Sequence, residues 1–241
     1  MEAEGTPLYF FVHLQKTAGT ALFKRMRHHF GDDQVYPRRD EARTAKVVLD
    51  VEFMLERLAA DPGGYQAVTG HFPLAVASRL PPGTRTFTLL RDPVERTLSF
   101  LRHQREVDPK FDGWTLEAMY EHRRETSANL LLNHQVKMLS MRPDEMTYGA
   151  LSTVVVDDAH IAEAKDALLT RIDVWGIQER FDEFCAEIAS TFSWDLGEPL
   201  FMNRSQPMPS SDELAERIAL DNGPDLELYR FAVDQLDRKQ A

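Results

Sequence analysis

The chain has 241 residues, of which 43% are hydrophobic. This length and composition suit one α/β domain with extra helices and a large core. The net charge of −11, from 28 basic and 39 acidic residues, argues against nonspecific nucleic-acid binding, which needs a dense positive surface. It also weakens the case for a long polyanionic substrate, although a local basic cleft is compatible with it.

Hydrophobic periodicity and turn residues predict strands separated by helices. The predicted strands are 8–13, 66–70, 85–90 and 172–176. The predicted helices are 19–30, 47–60, 93–106, 115–122, 127–140, 158–170, 179–192, 211–221 and 224–238. This alternation implies a parallel sheet with right-handed crossovers. We therefore expect an α/β fold, a three-layer sandwich with a central parallel sheet flanked by helices, in a single domain spanning 1–241.

The first predicted strand ends in a loop of lysine, threonine and glycine, and a helix follows at once. This order directs backbone N–H groups and a helix N-terminus at one spot, and both favour an anion such as phosphate or sulfate. Lys16 adds a positive charge, and Thr17 and Thr20 add hydroxyl donors. Because Lys16 precedes Gly19, the loop differs from the G-x-x-x-x-G-K-[ST] of nucleoside-triphosphate P-loops. Taken alone, the loop is better explained as an ordinary strand–helix turn, because short Lys/Thr/Gly turns are common.

A second candidate segment follows the predicted strand at 85–90. Asp92 is a typical N-cap, because proline follows it at the first helical position. Arg91 then lies at the carboxyl end of a strand, where open α/β sheets bind ligands. Ser99 lies about two turns into the next helix, and the two side chains could hold one phosphate together. The alternative is that Arg91 pairs with Asp92 or Glu95 and that Ser99 is an ordinary helix residue.

Together, residues 13–20 and 91–99 resemble the sulfotransferases that use 3′-phosphoadenosine 5′-phosphosulfate (PAPS), in particular the carbohydrate type that includes heparan sulfate 2-O-sulfotransferase. In that family, H-x-x-K-T-[AG]-G-[TS] holds the 5′-phosphosulfate and R-D-P-[VI]-x-R-x-x-S holds the 3′-phosphate. The resemblance implies a P-loop-like sandwich, PAPS as cofactor and 3′,5′-ADP as product. The cofactor-binding residues that it implies are Lys16, Thr17, Ala18, Gly19, Thr20, Ala21, Arg91, Ser99, Arg204 and Ser205.

Shorter segments along the rest of the chain are similar to the same family. They are 68–73, with a G-H pair; 133–140, with N-x-Q; 174–182, with G-I-x-E-R-F-D; 203–205; and 225–229, with D-x-x-L-Y. The chain departs from the family pattern at Gln15, where members often carry proline. That change affects the stiffness of the loop and not the assignment.

Sulfuryl transfer requires a group that stabilises the leaving phosphate and a base that takes the acceptor's proton. Lys16 is the candidate for the first role, because charge develops on the bridging oxygen. A histidine suits the second, since its unperturbed pKa is about 6.5. His71 ends a predicted strand and matches the family's catalytic histidine. His13 is predicted to lie inside the first strand with a structural role, and His103, His122 and His134 lie on helices with no converging motif.

Three functions remain open at this point. The first is a PAPS-dependent sulfotransferase acting on an acceptor hydroxyl, on a carbohydrate or glycoconjugate, or else on a small metabolite or lipid. The second is a P-loop kinase-like protein, which would need a Mg²⁺ site, whereas Asp92 is predicted to be an N-cap. The third is a noncatalytic nucleotide-binding protein on the same scaffold. The sequence contains no metal-binding motif, so no metal is expected.

Cellular location is also constrained by the sequence. No apolar run approaches the ~20 residues that a membrane-spanning helix needs. The first strand begins within ten residues of Met1, which leaves no room for a signal peptide. The single cysteine, Cys185, cannot form an internal disulfide. We therefore expect a cytoplasmic protein without stable membrane insertion.

Overall fold

A five-stranded parallel sheet forms the centre of the molecule. The computed structural model describes residues 7–41, 44–146, 148–198 and 210–240. The strands are β1 (Tyr9–Val12), β2 (Val35–Tyr36), β3 (Ala67–Gly70), β4 (Arg85–Leu90) and β5 (Val174–Ile177). Their order in the sheet is β2-β3-β1-β4-β5. The predicted parallel sheet is confirmed, and β2 was missed because two residues are too short to show an alternating pattern.

Helices cover both faces of this sheet. The α-helices in the described ranges are α1 (Gly19–Phe30), α2 (Ala45–Leu49), α3 (Val51–Ala60), α4 (Pro93–Val107), α5 (Leu116–Leu131), α6 (His134–Ser140), α7 (Asp158–Thr170), α8 (Phe181–Phe192), α9 (Asp212–Asp221) and α10 (Gly223–Gln240). Phe10 and Val12 of β1 pack into one core with residues of α7 and α10. Tyr9 and Phe11 pack into another core with residues of α1 and α8. Successive strand residues point to opposite faces, so the three-layer prediction is confirmed.

Three of the predicted helices are divided differently in the structure. The predicted helix at 47–60 is broken at Asp50, whose carboxylate accepts the N–H of Phe53 and caps α3. The predicted helices at 115–122 and 127–140 are divided elsewhere. α5 continues through a kink at Ser127, and Asn133, with φ of 48°, separates it from α6. One residue with non-helical backbone angles does not change the hydrophobic periodicity of a segment. The sequence therefore did not predict these breaks.

The strand order places the ends of three central strands in one crevice. The chain leaves β1 toward the β2 edge and leaves β4 toward the β5 edge, so β1 and β4 flank a topological switch point. Ligands of open α/β sheets bind in such a crevice, outside the carboxyl ends of the strands. No helix in the part of the chain that the structure describes is long and apolar enough to cross a membrane.

Candidate functional site

The loop after β1 exposes the start of α1. Lys16 and Ala18 have φ of 70° and 60°, a left-handed conformation that is uncommon for residues other than glycine. Ala18 occupies the N-cap position, where no described side chain caps the helix, and the first turn of α1 contains no acidic residue. The first N–H groups of a helix lack intrahelical acceptors. The N–H of Ala21 donates to the carbonyl of Ala18 at 3.0 Å, so an anion bound here would meet the N–H groups that precede Ala21.

Thr17 and Gly19 shape this loop from inside. The Thr17 hydroxyl donates to the carbonyl of Leu14 at 2.8 Å and is fully buried, so it serves the loop itself and is not the free donor that the sequence predicted. At Gly19, a Cβ would lie 1.8 Å from Nε2 of His13. Only glycine allows the ring of His13 to lie against the first turn of α1.

His13 and His71 are neighbours at the ends of adjacent strands. β1 ends at Val12, so the prediction that places His13 inside that strand is wrong, and its half-buried ring stacks on Phe11. The two imidazole centroids are 4.7 Å apart, and Nδ1 of His71 lies 3.3 Å from the backbone oxygen of His13. A carbonyl partner favours a proton on Nδ1 of His71 and leaves the lone pair on Nε2. This tautomer suits a general base.

Arg91 joins the end of β4 to the anion loop. Its Nη1 donates to the backbone oxygen of Lys16 at 3.0 Å, and Nη2 lies 3.7 Å from a carboxylate oxygen of Glu95. The pairing with Glu95 that sequence reasoning left open therefore occurs together with the contact to the loop. Burial lowers the pKa of both Lys16 and Arg91. Glu106 opposes this effect at Lys16, whereas the Arg91 charge adds to it.

Three side chains from later in the sequence fix the backbone around Arg91. Gln135 accepts the N–H of Arg91 at 2.9 Å and donates to its carbonyl at 2.8 Å. The buried carboxylate of Asp225 accepts the N–H of Gln135 at 3.1 Å and so fixes the start of α6. Glu179 accepts the N–H of Asp92 at 3.2 Å. The weaker family-like segments thus support the site by holding its backbone.

One face of α4 runs alongside Lys16. Ser99, His103 and Glu106 have the helical spacing that places residues on one face. Burial lowers the pKa of His103, and the charge of Lys16 lowers it further. Sequence reasoning dismissed His103 and overlooked Glu106, although counting turns from Ser99 would have found both.

The structure brings together the predicted residues at the ends of β1, β3 and β4, namely Lys16, His71 and Arg91, while Ser99 is half-buried on α4. Arg204 and Ser205 lie outside the described residues. Within the described ranges, no group of three or more histidine, cysteine, aspartate or glutamate side chains could hold a metal ion.

Comparisons with known proteins found solved structures with a similar fold but no matching sequence family. No family model matches the chain, and no curated protein does. Among solved structures, a sulfotransferase from Alicyclobacillus acidocaldarius is similar with 15% identity and a TM-score of 0.52, over 92% of this chain and 93% of that one. A retinol dehydratase in a complex with retinol and PAP has 16% identity and a TM-score of 0.37, over 96% of this chain and 71% of that one. At 15% identity, the similarity to the Alicyclobacillus acidocaldarius structure shows a shared α/β fold.

Proposed function

We propose that this protein is a PAPS-dependent sulfotransferase that moves a sulfuryl group to an acceptor hydroxyl. The observation that carries the proposal is the contact between Arg91 and the backbone of Lys16. It joins two anion-binding elements in one crevice, each of which resembles the matching PAPS motif in sequence. A nucleotide with phosphates at both its 3′ and 5′ positions has the charges that such a crevice would bind.

The residues present suit PAPS. The uncapped start of α1 and the charge of Lys16 would hold the 5′-phosphosulfate, and Arg91 with Ser99 would hold the 3′-phosphate. PAPS supplies the sulfuryl group and a phosphate leaving group. Lys16 would neutralise the charge that grows on the leaving oxygen. His71, held by the backbone oxygen of His13, would take the proton of the acceptor hydroxyl at Nε2.

The kinase-like alternative is disfavoured by how Asp92 is used. A phosphoryl-transfer enzyme of this type holds Mg²⁺ with a carboxylate at a strand end. Here one carboxylate oxygen of Asp92 accepts the N–H groups of Val94 and Glu95 at 2.9 and 3.0 Å. That carboxylate caps α4, and its N-cap role agrees with the prediction from sequence.

The acceptor class is proposed from the family resemblance. The family resemblance favours a hydroxyl on a carbohydrate or glycoconjugate, and a small metabolite or lipid is the alternative. A cytoplasmic location and the absence of nucleic-acid partners stay predictions from the sequence.

Thermal unfolding with added nucleotides tests the cofactor. PAPS or 3′,5′-ADP at about 100 times its dissociation constant should stabilise the protein by ~2.7 kcal/mol, with or without Mg²⁺. Transfer of labelled sulfate from PAPS to a panel of hydroxyl compounds then tests the reaction. Stabilisation by Mg²⁺–ATP and none by PAPS would assign the protein to the kinase-like class instead.

A further inference from the structure

A cavity of about 410 Å³ opens between α2 and a turn that follows α6. Its volume falls in the range of small-molecule sites, about 300–1,000 Å³. The lining residues are Ala45, Leu49, Asp50, Val51, Glu52, Arg79, Pro143, Met146, Tyr148, Gly149 and Leu151. None of them belongs to the motifs that predicted the nucleotide site.

The cavity shares a wall with His71. The N–H of His71 donates to the carbonyl of Val48 at 2.7 Å, one residue before the end of α2. Gly149 closes the other side of this wall, with φ of +54°. A Cβ at Gly149 would lie 2.8 Å from the backbone oxygen of Leu49 and 3.8 Å from that of His71. Two lining residues, Leu49 and Gly149, therefore lie directly beside the backbone of the proposed base.

The charged groups of the lining are already paired within the protein. Both carboxylate oxygens of Glu52 accept hydrogen bonds from Arg79, and the Asp50 carboxylate caps α3. The other lining side chains are mainly apolar, apart from Tyr148, which is 71% exposed. An exposed aromatic ring above apolar walls binds a flat or apolar group. A polyanion would find no unpaired cation among these residues.

The turn that forms the far wall is held from behind by a buried lysine. Nζ of Lys137 donates to the carbonyls of Asn129, Ala150 and Ser152 at 2.6, 2.7 and 3.1 Å. The side-chain amide of Asn129 donates to the carbonyl of Leu151. These bonds fix the turn to α5 and α6, so the cavity is preformed. A wall held in place lowers the ordering cost of binding a small ligand.

We propose that this cavity binds the apolar ring of the acceptor, a neutral hydroxyl compound such as an aryl glycoside, and that the acceptor's hydroxyl extends past the shared wall to His71. The inference rests on the proposed function and names its substrate class. In the reaction, the acceptor oxygen forms a bond to sulfur and the bond between sulfur and the bridging phosphate oxygen breaks. The hydroxyl proton passes to His71, and 3′,5′-ADP leaves.

Phenyl β-D-glucopyranoside is the probe, and glucose and an uronic-acid polysaccharide are the comparison acceptors. The Ala45→Trp variant fills the cavity from the exposed start of α2, and Tyr148→Ala removes the aromatic wall. The matched control is Ala60→Trp, at the exposed end of α3 and outside the lining. Calorimetry measures binding of the glycoside in the presence of 3′,5′-ADP, and labelled PAPS measures transfer.

We expect wild type and Ala60→Trp to bind the glycoside alike, and Ala45→Trp to bind it at least about tenfold more weakly, which is 1.4 kcal/mol. Tyr148→Ala should raise KM severalfold with little change in kcat, and affinity for 3′,5′-ADP should be the same in every variant. Wild type that does not bind the glycoside, or Ala45→Trp that binds it like the control, would overturn the cavity assignment. Either result leaves the nucleotide affinity intact, whereas failure of the proposed function would appear as loss of 3′,5′-ADP binding in wild type.

Discussion

The proposed nucleotide side and the proposed acceptor side of this site are built differently. On the nucleotide side, the loop after β1 and the start of α4 are each one continuous segment of sequence, and backbone geometry would do much of the binding. On the acceptor side, His71, α2, the turn at 148–152 and Lys137 come from four separate segments. An anion needs N–H donors that one turn can supply. A cavity needs walls that only tertiary packing assembles.

The two sides also use charge differently. Lys16 and Arg91 are half-buried and border the crevice, where an anion can meet them. Behind the proposed acceptor side, Arg96 and Lys137 are enclosed with Asp225 in the protein interior. Buried charges require hydrogen-bond partners, since desolvation is costly. The interior group therefore stabilises structure, while the crevice group is available to a ligand.

The largest expected effect concerns Lys16. Lys16→Ala should lower kcat about 10³-fold, or ~4 kcal/mol, because the charge acts on the leaving oxygen as the bond breaks. Lys16→Arg should restore little of the lost kcat, because the planar guanidinium does not present a point charge. Lys24→Ala, on the exposed face of α1 that follows the loop, is the control for kinetics and thermal unfolding. Turnover in Lys16→Ala equal to this control would remove Lys16 from the mechanism.

The next prediction separates the two neighbouring histidines. His71→Ala should lose about 10²-fold in kcat, the lower end of what a general base contributes. It should retain affinity for 3′,5′-ADP. His13→Ala should mainly lower stability, because its ring packs against Phe11 and Gly19. A folded but inactive His13→Ala beside an active His71→Ala would show that His13 is the base.

Breaking the lysine anchor should affect the acceptor side alone. Lys137→Met leaves three buried carbonyls without their donor, and we expect the free energy of unfolding to fall by about 2 kcal/mol. KM for the glycoside should rise, while the affinity for 3′,5′-ADP should be unchanged. The control is Lys165→Met, which breaks a partly exposed ion pair with Glu227 and should cost under about 1 kcal/mol. If the affinities for the glycoside and for 3′,5′-ADP fell equally, the two sides would act as one structural unit, which would contradict this prediction.

The smallest effect is a pH dependence of stability from His134. Burial, with the charges of Arg96 and Lys137, holds the pKa of His134 well below its ordinary value of 6.5. As the pH falls below 6.5, the imidazole of His134 therefore takes up a proton in the unfolded chain before it does so in the folded protein. The free energy of unfolding falls over this range by up to ~1.4 kcal/mol per pH unit. Denaturant unfolding of His134→Phe should show a smaller loss. Identical slopes in the two proteins would contradict this assignment.

The elements on the proposed nucleotide side could be predicted from sequence because their signals are local. The N-cap at Asp92 and the loop between β1 and α1 follow from neighbouring residues, and the parallel sheet follows from the alternation of strands and helices along the chain. The role of Gln135 could not, since its partner Arg91 lies 44 residues earlier in the chain. The cavity could not be predicted from the sequence for the same reason. Nothing in the sequence distinguishes Lys137 from other helical lysines, because only the fold brings its three carbonyl partners to it.

Calorimetry of 3′,5′-ADP and 5′-AMP binding to the wild-type protein tests the central claim most directly. If Arg91 and Ser99 hold a 3′-phosphate, 3′,5′-ADP should bind about 10²-fold more tightly, as expected for charge-assisted hydrogen bonds worth ~1.5–3 kcal/mol. Ser99→Ala should remove about 1 kcal/mol of that difference. Equal affinity of the wild-type protein for the two nucleotides would contradict the account.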